Sequence, residues 1–191
     1  MPTSSKNDAY MPMLYSLYDI IIALKEECHM YLPDEKSIVG RNLQILINQK
    51  NWSIKQAAKE LNYDRMKLSK MLSGSQNFRI KTLVKFAHFF DVSVFLLFNR
   101  LFENEQYRQD FSFVDEDYMH VFRENFKATS IKQSLISLDP TTVSHIMNGH
   151  RNNPTINTLH QFAEDSNTSL SELLKTEIDK KIIKQKEEDD I

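Results

Sequence analysis

The chain has 191 residues, of which 41% are hydrophobic and 26% charged, with a formal net charge of −2; this is an ordinary globular composition, enough for one domain or two small ones. Only 3 glycines argue against a parallel α/β enzyme, which uses glycine in tight turns and phosphate loops, and one cysteine, Cys28, excludes an intrachain disulfide. No apolar run approaches the roughly 18 residues of a membrane span, and the first residues lack the basic-then-apolar pattern of a signal peptide, so a cytoplasmic chain with no membrane partner is expected.

Residues 1–36 read as an N-terminal tail and amphipathic helix. Leu14, Leu17, Ile21, Leu24, Cys28 and Tyr31 recur in steps of three and four, a heptad-like stripe that Pro33 ends. Such a stripe either docks on its own domain or pairs with a second copy of the chain.

Residues 37–100 hold five short amphipathic segments. The first runs from Ile38 to Lys50 with Val39, Leu43, Leu46 and Ile47 inward, and the second from Ile54 to Leu61 with Ala57, Ala58 and Leu61 inward. The third follows Asp64, a good N-cap, turns Leu68, Met71 and Leu72 inward, and stops at Gly74. The fourth spans Ile80 to Phe90 and the fifth Val94 to Arg100, with Ser93 as its cap. No stretch alternates with period two, so the expected class is all-α. Between positions 37 and 100 there are 11 Lys or Arg against 3 Asp or Glu, a surplus that suits phosphate binding. The fifth segment lacks the polar face of a surface helix, so Phe95 and Leu96 need a cover: the N-terminal helix, the second half of the chain, or another subunit.

Residues 101–114 read as a polar and aromatic linker, 115–175 as a second helical unit, and 176–191 as a charged tail, either a frayed helix or a disordered end. Between 112 and 174 the balance reverses, with 4 basic residues against 8 acidic ones. Asp139-Pro140 is a cap followed by proline at the first helical position, Val143, Ile146 and Met147 form an inner face, and Asn148-Gly149 ends the segment. Thr158, Leu159, Phe162 and Ala163 repeat Thr82, Leu83, Phe86 and Ala87 at an offset of 76, SIKQ occurs at 53 and 130, and the two terminating glycines are 75 apart. The second unit therefore reads as a degenerate copy of the first, its second helix shortened or shifted and its core thinned where Ser166 and Thr168 replace Phe90 and Val92.

The stretch SIKQAAKELNYDRMKLSKMLSG at 53–74, continued by FRIKTLVKFAHFFDVSVFLLF, resembles the helix-turn-helix of the Cro and lambda-repressor-like (XRE-type) family across residues 37–98. The resemblance implies tandem five-helix lambda-repressor-like domains preceded by an amphipathic helix. It also implies a sequence-specific regulator of transcription, of repressor type, bound to double-stranded DNA. A major groove about 12 Å wide admits one α-helix. In the family's base-reading helix stand Arg65, Met66, Lys67, Ser69 and Lys70. Lys55, Gln56, Ser73, Ser75, Asn77, Arg79 and Lys81 fall where the family grips phosphate. Ile54 replaces a glutamine common at the start of the second helix, which leaves that contact to Lys55 or Gln56.

Related repressors pair through the fifth helix, so the resemblance implies a homodimer through Phe95 and Leu96; the Leu14–Leu24 stripe is a second candidate for pairing, and a monomer that uses both copies on an asymmetric site is the alternative to a homodimer. In the second copy, Thr141, Thr142, Ser144, His145, Asn148, His150, Arg151 and Asn152 form either a second DNA site or a protein-partner site. A module that reuses the fold to bind protein, such as an antitoxin or inhibitor, is the alternative to a DNA regulator. The 6 histidines are scattered with no metal-ligand spacing, and neither a phosphate loop nor a nucleophile elbow occurs. No enzyme, metal or cofactor is expected.

Overall fold

The computed structural model describes residues 34–189, apart from the side chains at 101, 103 and 106; the Leu14, Leu17, Ile21 and Leu24 stripe lies outside the described residues. The first helix, α1 (Glu35–Gln49), begins three residues before its apolar periodicity does, because the Asp34 carboxylate accepts the Lys36 N–H at 3.1 Å. A capping box opens α2 (Ile54–Glu60): the Ser53 N–H donates to Gln56 Oε1 at 2.8 Å, and the Gln56 N–H to Ser53 Oγ at 3.3 Å. Asn62 makes the turn to α3 (Arg65–Leu72) in the left-handed region, at φ 46°. From α4 (Ile80–Phe90), Lys85 donates to the Leu61 carbonyl at 2.7 Å, which closes the end of α2.

The expected fifth helix is a tight 3-10 helix, η1 (Val94–Phe98), with all five residues buried. It is followed by a separate turn, η2 (Arg100–Glu103), and by α5 (Glu105–Gln109). These elements occupy the stretch expected as a linker, which feeds the core. Phe102 and Phe111 are fully buried, and the Arg108 guanidinium lies 5.2 Å from the Phe102 ring centre while donating to the Phe102 carbonyl.

The second block contains α6 (Tyr118–Ala128), the three-residue 3-10 turn η3 (Gln133–Leu135), α7 (Pro140–Met147), α8 (Ile156–Asp165) and α9 (Leu170–Leu173). Asp139 caps α7 by accepting the Thr142 N–H at 3.0 Å, with Pro140 at the first position. The charged tail is a helix, α10 (Glu177–Asp189), tied back by an ion pair between Lys186 and Asp110 at 2.5 Å. Among the described residues there is no strand, only an isolated antiparallel bridge between Arg79 and Thr155. A single core runs from Val39 to Leu174 without a break between the blocks.

Two amides fix the ends of this core, Asn42 buried and Asn125 half-buried. The Asn42 amide donates to the carbonyls of Leu96, Leu97 and Asn99 at 3.4, 3.0 and 2.9 Å. The Asn125 amide donates to those of Glu172, Leu173 and Lys175 at 3.4, 3.1 and 2.9 Å. Each holds a short terminal helix to the first helix of its block, and each carbonyl group it serves would be costly to leave without a donor. Asn42→Ala and Asn125→Ala are each expected to lower unfolding stability by about 1–3 kcal/mol. Urea titration checks this, and a change near zero for either variant contradicts the role given to it.

Asp179 is the one buried carboxylate of α10. Its Oδ2 accepts the Thr176 N–H and hydroxyl, both at 2.8 Å. Burial pushes its pKa above the ordinary aspartate range, against the opposing effect of these hydrogen bonds, of Ser93 and of Lys175. Folding thus favours the protonated form. The stability so gained is full below the unfolded-state pKa and is lost as pH rises through the folded-state value. Asp179→Asn keeps an acceptor for Thr176 and is expected to remove that part of the pH dependence, raising stability at neutral pH relative to the parent. Unfolding midpoints measured across that window check it; an unchanged slope contradicts it.

Candidate nucleic-acid interface

The third helix is a short rod with one wet face and one dry face. Leu68 and Met71 are fully buried, while Arg65, Met66, Lys67 and Lys70 are exposed and Ser69 half-buried. Met66 is 63% exposed on the same face as the cations, free to make an apolar contact there. Asp64 accepts the Lys67 N–H at 2.8 Å, which fixes the start of α3 and the direction of its exposed side chains. The other end closes as a Schellman motif: the Gly74 N–H reaches the Met71 carbonyl at 3.0 Å, and the Ser75 N–H the Lys70 carbonyl at 3.0 Å. Gly74 sits at φ 71°, and a Cβ there would lie 2.5 Å from Ser37 Oγ, so both conformation and space demand glycine. The same economy holds on α1, where a Cβ on Gly40 would lie 2.5 Å from the Leu72 carbonyl oxygen. This close approach seats the end of α3 on α1.

The expected phosphate-gripping residues divide into two groups. Lys55 and Lys81 are exposed. Gln56 is exposed too, but its carbonyl is engaged by the capping box. Ser73 and Ser75 share a hydrogen bond at 2.8 Å, and both hydroxyls approach the Lys70 carbonyl, at 3.0 and 3.1 Å. Their protons are committed to closing α3. Asn77 and Arg79 face the second block: Asn77 Oδ1 accepts the Asn157 N–H at 3.3 Å, and the Arg79 guanidinium donates to the Asn153 carbonyl at 2.9 Å. Both remain exposed on the rim.

From Arg65 to Phe90 the chain carries no acidic residue. The exposed cations of α3 therefore have no acidic neighbour within that stretch, whereas Lys81 and Lys85 line a pocket with Asp115, Glu116 and Asp117; a cationic cluster attracts a polyanion at range. The shifted carboxylates lie elsewhere. Glu35, whose pKa burial raises above the ordinary range, faces His160, with 3.8 Å between Oε1 and Nδ1.

In the second block, Thr141, His145, Asn148, His150, Arg151 and Asn152 are exposed, and Thr142 and Ser144 are half-buried. The His145 and His150 rings meet edge to face at 5.8 Å, Asn148 donates to Ser144 Oγ at 3.1 Å, and Arg123 donates to Asn152 Oδ1 at 3.3 Å. Phe95 and Leu96 are fully buried within this chain: Phe111 meets the Phe95 ring edge to face at 5.1 Å, the Lys175 ammonium lies 5.7 Å from its centre, and the Ser171 hydroxyl donates to the Phe95 carbonyl at 3.2 Å. The cover is the second half of the chain.

Sequence reasoning missed Lys85, Asn42 and Asn125, each a polar side chain spent on backbone carbonyls far along the chain. The only available signal was an asparagine on the otherwise apolar face of a first helix. Among the described residues no group of three or more His, Cys, Asp or Glu side chains is placed to hold a metal ion, and no helix is long and apolar enough to cross a membrane.

Residues 43–97 match the family model described as Helix-turn-helix. No curated protein and no solved structure matches the chain.

Proposed function

We propose, from the premise that residues 43–97 form a domain of the helix-turn-helix family, that this chain is a sequence-specific regulator of transcription that reads the DNA major groove with α3. The observation that carries the reading is the exposed row Arg65, Met66, Lys67 and Lys70 on a helix whose opposite face is buried and whose two ends are capped. A groove-reading helix needs this combination: donors for base edges on a rod that does not bend away. Arg65 and Lys70 suit guanine O6 and N7, and the bare methionine suits a thymine methyl. Lys55 and Lys81 contact phosphates, supplying affinity without sequence preference.

Repression is the sign of regulation that needs least of the chain. A bound protein that occludes a promoter requires no activating surface, and the compartment is the one that holds the DNA, the cytoplasm. η1 has no face left to offer a second chain, so the homodimer expected through Phe95 and Leu96 does not enter this proposal. The alternative, a protein-binding module, draws support from one patch: Trp52, Phe89 and Phe90 pack within 6.4 Å of one another, with Phe89 42% exposed.

Base readers and phosphate grips differ in what their removal does. Lys70→Ala is expected to cost about 1–3 kcal/mol on the preferred site and to relax selection at one base position. Lys81→Ala is expected to weaken binding to all sequences alike and to reduce the dependence of log K on log salt by about one unit. Binding titrations at several salt concentrations, on the preferred and a scrambled duplex, separate the two. If Lys70→Ala leaves base preference intact, α3 is not the reader.

A further inference from the structure

The contacts between the two blocks come in reciprocal pairs. The Ile80 N–H donates to the Pro154 carbonyl at 3.1 Å, and the Ile156 N–H to the Phe78 carbonyl at 2.9 Å. Lys81 N–H donates to Asn153 Oδ1 at 3.2 Å, and Asn157 N–H to Asn77 Oδ1 at 3.3 Å. Residues 77, 78, 80 and 81 correspond to 153, 154, 156 and 157 at the offset of 76 carried by the sequence repeat. In each pair, then, i bonds j′ while j bonds i′. That pattern is the signature of a two-fold, isologous interface and not of a head-to-tail one. Arg79 and Thr155, the bridge pair, stand on its axis. The Asn42 and Asn125 clamps obey the same correspondence, since their acceptors 96, 97 and 99 map onto 172, 173 and 175 at that offset.

Resting on the DNA-reading function proposed above, we infer that this chain is its own dimer: α3 and α7 are two-fold related readers, and one chain spans both half-sites of one operator. Asp64 and Asp139 cap the two helices in the same way, through Lys67 N–H and Thr142 N–H. Gly74 and Gly149 end them at φ 71° and 79°. Residues 140–163, which hold α7 and the loop after it, carry no Asp or Glu, although Asp115, Glu116 and Asp117 line a pocket with Asn152 beside them. What differs is the reading surface. Thr141, Thr142 and His145 stand where Met66, Lys67 and Lys70 stand in α3, and α2 is reduced to the three residues of η3. Threonine hydroxyls hydrogen-bond either partner of a base pair, and threonine methyls pack on thymine methyls. The operator is therefore unequal, with a guanine-specified half under α3 and a looser, thymine-leaning half under α7, centred about one helical turn apart.

The test uses the full chain and a duplex selected from a random pool. Titration well above Kd is expected to reach equivalence at one chain per duplex, with a two-part asymmetric motif. Thr141→Ala combined with His145→Ala is expected to scramble selection in the looser half only and to weaken binding about ten-fold, on the order of one mismatched base pair. Retention of the guanine-specified half shows that the variant is folded. Two chains per duplex on a perfect palindrome would overturn the internal dimer and leave DNA reading by α3 intact. An α7 variant with unaltered selection would overturn it as well. Failure to enrich any duplex would overturn the DNA-reading function and this inference together.

Discussion

The rest of the structure depends on covering a five-residue segment with no polar side. Val94 to Phe98 contributes only apolar side chains, and all are buried. At about 25 cal/mol per Å² of apolar area, leaving one face of such a segment in water would cost several kcal/mol, a large part of the margin of a small domain. An ordinary surface helix has an outer face to spare; this one needs neighbours all round. Phe111, Leu170, Ser171 and Leu174 supply them, all buried, and so the second half of the chain is welded onto the first. The 3-10 winding of η1 follows the same demand, because its end carbonyls answer to Asn42 and not to another turn of helix.

Once the blocks are fixed to each other, the placement of α3 and α7 follows. The loops after α3 and α7 meet across the Arg79–Thr155 bridge. Backbone hydrogen bonds and a shared core thus hold α3 and α7 instead of a flexible tether. In the proposed reading, such rigid spacing would lower the entropy lost when two elements engage one duplex and would make the separation of half-sites a property of the fold.

Much of this was legible in the sequence. Asp64, Gly74, Asn62 and the Asp139-Pro140 pair each name a helix boundary by local chemistry, and the structure puts a cap or a left-handed residue at each. The inward sets Val39, Leu43, Ile47 and Leu68, Met71 were readable as helical periodicity, and the family match at 43–97 agrees with them. Illegible parts share a different cause. Whether Phe111 belongs to a linker or a core depends on its packing against Phe95, 16 positions away, which no local pattern shows. Nothing local shows that the charged tail docks, with Lys186 paired to Asp110. The exposed side of α3 was visible as a pattern of charges, whereas the partner of Arg79 was not, since it is set by the approach of two segments 76 residues apart.

The most direct measurement for the central claim is selection of bound sequences from randomised duplex DNA by the full chain at low salt. The expected result is an enriched motif with a guanine-rich block that Arg65→Ala and Lys70→Ala each degrade at one position. A pool that stays random after repeated rounds, with the protein folded and clear of aggregates, would contradict it and turn attention to the aromatic patch of Trp52, Phe89 and Phe90 as a protein-binding surface.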